Sequence, residues 1–459
     1  MAATLAQVLR HFGATYLSAH ALSTARARVW RAIVSCRTSA LGGELLRCGN
    51  CGAEQWHWHS CGNRHCPQCQ SRQRDAWRAA RLGELLNVPY CHLVFTLPHE
   101  LNALAGAHPR WVYDTLMQCT AATLTEFAAN PRWLGGIGGF TLVLHTWTQD
   151  LRLHPHVHAL MACGALQRGP ADGADGRAAA GDGDGDGDGD GDGDGDGDGD
   201  GDGDDAGAGA GAGAGGGAGA GGGAGGGGTQ WRWVKPARNP RFLFPVHALS
   251  KVFRGKFLDA LDAATAANRL RDDPADTPQR RTERVTALRC HGWVVYAKTA
   301  LAGPAAVLDY LSRYTHRTAI GNERLVAIRG DEVVLRVRAD DQGGKRCIAM
   351  PGVKFIARLL LHVLPAGFKR IRHYGLLAPA VKSERLALAR QLLAMPASNP
   401  QAREDALAFM QRVAAIDISC CPHCKLGRWV VIACMPPQRD STPAVDNVRA
   451  PAAPCRGPP

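Results

Sequence analysis

The chain has 459 residues, a hydrophobic fraction of 45% and a formal net charge of +12. This length is enough for two or three domains with hydrophobic cores, and the composition excludes a chain that is disordered throughout. No run of about 18 apolar residues is present, so the sequence predicts no membrane span and a cytoplasmic protein.

The acidic residues are concentrated in one tract. Residues 181–204 are Gly-Asp repeats followed by Asp205, and they leave 28 acidic residues against 53 basic ones in the rest of the chain. Without this tract the net charge would be +25. A balance this basic favours a polyanionic partner such as DNA.

The N-terminal region combines predicted helices over 1–35 with a segment rich in Cys, Gly and His over 36–70. Clustered cysteines in a cytoplasmic chain favour metal binding over disulfides. Two Cys-x2-Cys pairs at tetrahedral zinc spacing predict one structural Zn²⁺. The four predicted ligands are Cys48, Cys51, Cys66 and Cys69.

Four further residues between these pairs could replace one ligand or bind a second ion: His57, His59, Cys61 and His65. We expect Cys61 and His65 to support the loop instead. A basic helix is predicted over 71–86, then a strand over 90–98 and a helix over 109–130.

Residues 140–149 and 153–163 predict a pair of antiparallel strands, and the second strand carries His154, His156 and His158. Residues i and i+2 of a strand share a face, so His156 and His158 can bind one cation. A third ligand could be His154, by the same period.

The preceding strand offers two other candidates for the third ligand, His145 and Gln149. Ligands that leave open positions predict a catalytic Mg²⁺ or Mn²⁺ that polarises a phosphodiester. Imidazole is a soft ligand for Mg²⁺, so Mn²⁺ should also bind well. A zinc site or a structural histidine cluster is the alternative interpretation.

Residues 168–228 consist almost entirely of Gly, Asp and Ala and predict a disordered loop, because they contain no side chains that can form a core. Residues 229–234 are expected to complete a hairpin on its far side. A helix over 242–264 and a strand over 290–298 follow.

A helix is then predicted over about 304–316, with Tyr310 and Tyr314 one turn apart. Residues i and i+4 share a helix face, so both phenols can reach one scissile phosphate. Aromatic pairs at this spacing usually pack in a core. Arg313 and Arg317 nevertheless make this a basic helix end that suits phosphate.

A hairpin over 324–337 and helices over 352–365, 380–394 and 400–415 complete the predicted elements. Together the pattern predicts an α+β fold with an antiparallel sheet. Near the C-terminus, Cys421 and Cys424 form half of a second zinc site. Three cysteines could complete it: Cys420, Cys434 and Cys455.

At these motifs the chain resembles the transposases of the insertion-sequence-91 type, which belong to the HUH-nuclease superfamily. The segments that carry the resemblance run in order along the chain: CGNRHCPQCQ (61–70), HLVFTLPHEL (92–101), LHTWTQDLRLHPHVHALM (144–161), FPVHALSKVFRGKFL (244–258), VVYAKTALAGPAAVLDYLSRYTHRTAIGNERL (294–325) and HVLPAGFKRIRHYG (362–375).

The resemblance implies a metal-dependent nuclease that acts on single-stranded DNA through tyrosine, and rolling-circle-type transposition of an insertion sequence. It implies His156 and His158 as metal ligands, Tyr310 and Tyr314 as nucleophiles, and an N-terminal zinc-binding domain. The protein would then work in the bacterial cytoplasm and associate with the nucleoid when it acts.

The predicted organisation has four parts: a helical and zinc-binding domain (1–90), an HUH nuclease domain interrupted by the 168–228 loop (91–378), C-terminal helices with a zinc knuckle (379–434) and a disordered tail (435–459). Two other functions stay open. One is a plasmid rolling-circle replication initiator or relaxase, and the other is a non-catalytic, zinc-dependent DNA-binding protein.

Overall fold

A computed structural model of the chain describes residues 3–169, 230–236, 243–270, 277–301, 307, 319–339, 344–397 and 404–438. The helices of these residues are α1 (Leu5–Ala19), α2 (Thr24–Ser35), α3 (Gln70–Leu82), α4 (Asn102–Ala107), α5 (Pro109–Ala129), α6 (Val246–Ala266), α7 (Pro278–Cys290), α8 (Gly352–Leu361), α9 (Lys382–Leu392) and α10 (Ala406–Ala414).

The strands of the same residues are β1 (Gly43–Cys48), β2 (Glu54–Trp58), β3 (Tyr90–Thr96), β4 (Ile137–Trp147), β5 (Leu153–Arg168), β6 (Trp231–Val234), β7 (Val295–Leu301), β8 (Leu325–Arg329), β9 (Glu332–Arg338), β10 (Lys345–Pro351), β11 (Ile371–Gly375) and β12 (Trp429–Met435). Helices and antiparallel sheets are thus mixed along the chain, as the sequence predicted.

The largest sheet has the strand order β11-β4-β5-β3-β7, with β6 paired to the far end of β5. Its neighbouring strands are antiparallel. Two smaller sheets have the orders β12-β1-β2 and β10-β9-β8. The predicted hairpin of β4 and β5 is therefore confirmed, and so is the return of the chain at β6 beyond the Gly-Asp tract.

The two faces of the large sheet have different environments because side chains alternate along each strand. One face packs against α4, α5 and α6 and forms the main hydrophobic core, which includes Leu93, Phe140, Val157 and Met161. The other face carries the histidines of β3, β4 and β5. We call it the histidine face.

A separate hydrophobic cluster covers part of the histidine face. It contains Tyr90 and Leu160 of this face, residues of α9 and the isolated described residue Val307. A further core joins α1 and α2 to α8 and to the sheet of β8, β9 and β10. The first helix begins with a capping box between Thr4 and Gln7.

Several predicted bounds were wrong in detail. The predicted helix over 71–86 ends at Leu82, because Gly83 and the residues after it form turns that bring Leu86 into the core. The predicted helix over 352–365 ends at Leu361, where His362 donates its backbone N–H to Leu359 in a tighter turn. The short strand β11 and helix α7 were not predicted.

Among the described residues, no helix is both long enough and apolar enough to cross a membrane. The predicted disordered loop over 168–228 falls almost wholly outside the described residues, as do the predicted tyrosine helix and the tail after residue 438.

Candidate metal centres

Three buried histidines come together on adjacent strands of the histidine face. His145 on β4 lies directly opposite His156 on β5, and His158 is two residues further along β5. The ring centroids are 5.4 Å apart for His145 and His156, 4.9 Å for His156 and His158, and 4.4 Å for His145 and His158. One ring nitrogen of each lies within 4.8 Å of the others, close enough for a shared ion. We call this group the histidine centre.

Burial lowers the pKa of His156 and that of His158. The pKa of His156 falls to about 3, first because burial removes the ring from water and then because His154 lies nearby. The pKa of His158 is well below its ordinary value for the same first reason, with His145 as the next cause. These imidazoles are therefore neutral at pH 7, which is the form that ligates a metal.

Hydrogen bonds outside the centre orient two of its rings. Nδ1 of His156 lies 2.8 Å from the backbone oxygen of His154. A carbonyl oxygen only accepts, so Nδ1 carries the proton and Nε2 is the ligand atom. Nδ1 of His158 lies 2.9 Å from Nε2 of His92 on β3, and those two rings are stacked.

His92 belongs to the same face and is almost fully buried, with 2% of its surface exposed. Its pKa is lowered to about 3, first by burial and then by the positive charge of Lys298. Lys298 is paired with His92 in the register of β7 and β3 and is itself exposed. A cationic side chain therefore stands at the open side of the histidine face.

Of the three candidates for the third ligand, the structure places His145 in the group and leaves out His154 and Gln149. His154 lies outside the group of close ring nitrogens, and its backbone oxygen instead accepts the hydrogen bond from His156. Gln149, a second candidate, accepts hydrogen bonds from Arg324 through its backbone oxygen and from the backbone N–H of Arg338 through its side chain. The structure thus brings His145 to His156 and His158, as the cross-strand alternative proposed.

The predicted set of four zinc ligands was also wrong, because the two pairs belong to different clusters. Cys66 and Cys69 lie with Cys36 and Cys61, all within 4.8 Å of one another at sulfur. Sγ of Cys69 is 3.4 Å from Sγ of Cys36 and 3.5 Å from Sγ of Cys61. Four thiolates at such distances suit a closed tetrahedral site.

Cys48 and Cys51 lie instead with Cys421 and Cys424, again with all four sulfurs within 4.8 Å. The residues that complete the C-terminal half site are therefore the N-terminal pair. Three cysteines had been predicted as candidates for that role. Cys420 and Cys434 are not part of the cluster, and Cys455 lies outside the described residues.

The backbone N–H of Gly427 donates to Sγ of Cys424 at 3.3 Å. This contact is the first cause of a lowered pKa for Cys424, to about 6. His65 is buried beside the other cluster, and its pKa is lowered to about 3 first by burial and then by Arg64. It is not one of the clustered ligands, whereas Cys61, for which the same supporting role was expected, is one of them.

Three residues of these centres were missed or undervalued by sequence reasoning. His92 could have been found from the alternation of YCHLVFTLP, which places it on one face of a strand. Cys61 had a signal in its short spacing to Cys66 within CGNRHC. Cys36 is a lone cysteine after a helix, and nothing local distinguishes it.

Tyr310 and Tyr314, the predicted nucleophiles, lie outside the described residues. The nearest described residue before them is Val307. It is fully buried against the cluster of Tyr90 and Leu160 on the histidine face. The chain therefore reaches that face three residues before Tyr310.

Two family models match the chain. Residues 8–97 match one described as "Transposase zinc-binding domain". Residues 139–174 and 220–385 match one described as "Putative transposase". The second match contains the histidine centre and both tyrosines, and its interruption, residues 175–219, spans the Gly-Asp tract.

Two curated proteins are similar in sequence. "Putative transposase y4qJ" of Sinorhizobium fredii (strain NBRC 101917 / NGR234) is 36% identical over 437 residues, which cover 93% of this chain and 94% of that protein. "Transposase for insertion sequence element IS801" of Pseudomonas savastanoi pv. phaseolicola is 37% identical over 137 residues, 29% of this chain and 32% of that protein. No solved structure matches the chain significantly.

Proposed function

This chain belongs to the transposases of the insertion-sequence-91 type, and we propose that it nicks and rejoins single-stranded DNA through a covalent phosphotyrosine. Rolling-circle-type transposition of its element is the proposed outcome. The observation that carries the proposal is the histidine centre, in which three buried imidazoles on two adjacent strands face one point.

The residues of the histidine centre fit a divalent metal ion. His156 and His158 are neutral at pH 7, and hydrogen bonds to protein groups hold both rings. Among the described residues the group contains imidazoles and no carboxylate, a set that favours Mn²⁺ over Mg²⁺. An ion bound there would act as a Lewis acid toward a phosphodiester.

We propose Tyr310 and Tyr314 as the nucleophiles. A phenol has an ordinary pKa of about 10, so it needs a cationic surrounding to react as phenolate near neutral pH. Arg313 directly precedes Tyr314 and Arg317 follows it by three residues, so both can supply these cations.

The proposed reaction is one displacement at phosphorus. The phenolate oxygen attacks, the bond from phosphorus to the 3′-oxygen breaks, and that oxygen takes up a proton. The products are a 5′-phosphotyrosine and a free 3′-hydroxyl. The phosphodiester energy is retained, so the reverse displacement by another 3′-hydroxyl rejoins the strand. With two tyrosines, one can hold the first end while the other cuts the next strand.

The charge of the chain supports DNA as the partner. Outside the acidic tract the net charge is +25. Lys298 stands exposed beside His92, and we propose that it contacts a phosphate next to the scissile one. Such contacts position the strand without reading its sequence. We propose the bacterial cytoplasm as the place of action, at the nucleoid.

The test is covalent adduct formation on single-stranded oligonucleotides that carry the two ends of the element. With Mn²⁺ the protein should form a denaturant-resistant adduct and release a shorter 3′-hydroxyl fragment. A chelator in place of Mn²⁺ should abolish both. The Tyr310→Phe/Tyr314→Phe double variant should also be inactive, while Tyr296→Phe, which removes an exposed phenol from β7, should retain activity.

The same assay separates the alternatives. Cleavage of a plasmid origin and not of the element ends would favour a replication initiator or relaxase. Binding to DNA without any Mn²⁺-dependent cleavage would favour a non-catalytic DNA-binding protein, and would contradict the proposal.

A further inference from the structure

The second cysteine cluster joins two parts of the chain that are far apart in sequence. Cys48 and Cys51 flank the turn after β1, while Cys421 and Cys424 lie in the turn before β12. Sγ of Cys48 is 3.7 Å from Sγ of Cys424, and Sγ of Cys51 is 3.8 Å from Sγ of Cys421.

These distances identify the kind of bond the sulfurs can share. A disulfide requires about 2.05 Å, so neither pair is one. Four sulfurs placed tetrahedrally at about 2.3 Å from a zinc ion are about 3.8 Å from each other. We propose that Cys48, Cys51, Cys421 and Cys424 hold a second structural Zn²⁺, in addition to the one at Cys36, Cys61, Cys66 and Cys69.

The two turns are built alike, as expected for two halves of one site. The residue after the second cysteine of each turn has a positive φ, 73° at Gly52 and 59° at Lys425. In each turn a backbone N–H donates to sulfur, from Asn50 to Cys48 at 3.4 Å and from Gly427 to Cys424 at 3.3 Å. Such bonds stabilise the thiolate form that a metal needs.

Gly427 also marks how closely the two turns approach. A Cβ at this position would overlap Sγ of Cys48, so any larger residue would push the turns apart. Lys425 lies in the left-handed region, a strained conformation for a residue that carries a Cβ. A local conformation of this kind persists where its surroundings fix it, and a bound ion would do so.

The proposed ion has a structural task because little else holds β12 in place. β12 pairs with β1 from Gly43–Met435 to Cys48–Trp429. Yet Val430, Val431 and Ile432 on it are 40–56% exposed, so the apolar surface buried by this strand is small. The ion would act as a clasp that keeps the C-terminal strand on the N-terminal sheet.

The two helices that precede the clasp also contact the N-terminal part of the chain. Arg412 of α10 forms an ion pair with Asp75 of α3, and Arg390 of α9 donates to the backbone oxygens of Gly83 and Leu85. The C-terminal segment thus lies along the basic helix α3 and the turn after it. Neither family match includes Cys421 or Cys424, since the matches end at residues 97 and 385.

Alkylation of the native full-length protein tests the clasp without any variant. Cys51 is exposed and Cys424 half-buried, so burial alone does not protect them from N-ethylmaleimide, and exposed Cys290 and Cys347 are internal controls. In the zinc-loaded protein, peptide mapping should find Cys51 and Cys424 unmodified and the controls modified. A chelator should expose Cys51 and Cys424 together.

Modification of Cys424 at the rate of Cys347 in the zinc-loaded protein would overturn the proposal. Zinc content gives a second measurement. Cys424→Ser should lose about one zinc per chain relative to the unaltered protein, because three thiolates hold the ion poorly. Cys420→Ser, which changes a neighbouring cysteine outside the cluster, should lose none. Equal zinc in the two variants would also contradict the clasp.

Discussion

The histidine centre and the clasp are assembled in opposite ways. The histidines come from one hairpin, and register alone places His145 against His156. The clasp brings Cys48 and Cys51 to Cys421 and Cys424 from the other end of the chain. Three ligands leave coordination positions open for a substrate, whereas four thiolates close the site. The first arrangement suits chemistry and the second suits structure.

The surroundings of the two sites also differ. The histidine centre lies on a sheet whose opposite face is a continuous core, so its rings have little freedom. The clasp lies between turns and an exposed edge strand. Loss of a ligand should therefore reduce activity at the first site and loosen the chain at the second.

The largest expected effect is that of His156→Ala on nicking. Removing a metal ligand from the histidine centre should reduce the rate by about 10³-fold or more, since several kcal/mol of charge stabilisation are lost. DNA binding should change little. His154→Ala is the matched control, because it keeps the backbone oxygen that orients His156. Rates on a single-stranded end and filter binding measure both quantities, and equal rates for the two variants would remove His156 from the site.

A smaller effect is expected for His92→Ala. His92 contacts His158 and not the proposed ion, so its loss should weaken Mn²⁺ affinity and nicking by about 10- to 100-fold. His92→Gln keeps a hydrogen-bonding amide and should recover part of the loss. Titration with Mn²⁺ distinguishes this from a folding defect. An unchanged affinity in His92→Ala would show that the hydrogen bond has no orienting role.

Acid should destabilise the sheet through His373, which lies on β11. Thr141 and Arg81 contact its two nitrogens, and Arg81 can only donate, so the ring is neutral. Its pKa is lowered to about 4, first by burial. The unfolded chain binds the proton near pH 6.5, so this contribution is complete above that pH and is lost as the pH falls toward 4.

Between pH 7 and pH 5 this histidine should account for about 2 kcal/mol of the fall in the free energy of unfolding. His373→Gln should therefore show a shallower fall over this range in urea denaturation. Zinc release by acid acts equally on both proteins and cancels in the difference. Identical pH profiles would show that the ring does not resist protonation in the folded state.

The smallest effect on activity is expected from deletion of residues 172–228. The tract connects β5 and β6, which already pair beside each other, and the family match is interrupted there. The free energy of unfolding should not fall. Shortening the connection from 62 residues to five can raise it by up to about 2 kcal/mol, because each halving of loop length recovers about 0.6 kcal/mol of closure entropy. Denaturation and nicking assays check this. A loss of stability or of nicking activity would give the acidic tract a role that its composition does not indicate.

The sequence predicted the histidine centre better than it predicted the cysteine clusters. Alternation along one strand was enough to place His156 and His158 together, and the cross-strand partner needed only the correct hairpin register. For the cysteines, spacing identified metal knuckles but not which knuckles meet. That choice depends on β12 pairing with β1, a contact between distant segments that leaves no periodic signal. Cys36 was missed because it is a lone cysteine after a helix and has no second cysteine at knuckle spacing.

The fold shows the same limit. The helix predicted over 109–130 is observed at Pro109–Ala129, and the central hairpin is observed with strand ends displaced by up to five residues, because hydrophobic periodicity marks both. β11 was not predicted, because Ile371 is the one aliphatic residue among its five and the strand acquires its conformation by pairing with β4. Helix ends were displaced where turns such as that at His362 replace helical bonds.

The measurement that tests the central claim most directly is the position of DNA on the protein after nicking. The adduct formed with Mn²⁺ on a single-stranded element end would be digested with protease and mapped by mass spectrometry. The account predicts a nucleotide on Tyr310, on Tyr314 or on both. A nucleotide on Tyr296, which also lies on the histidine face, or on any other residue would contradict it.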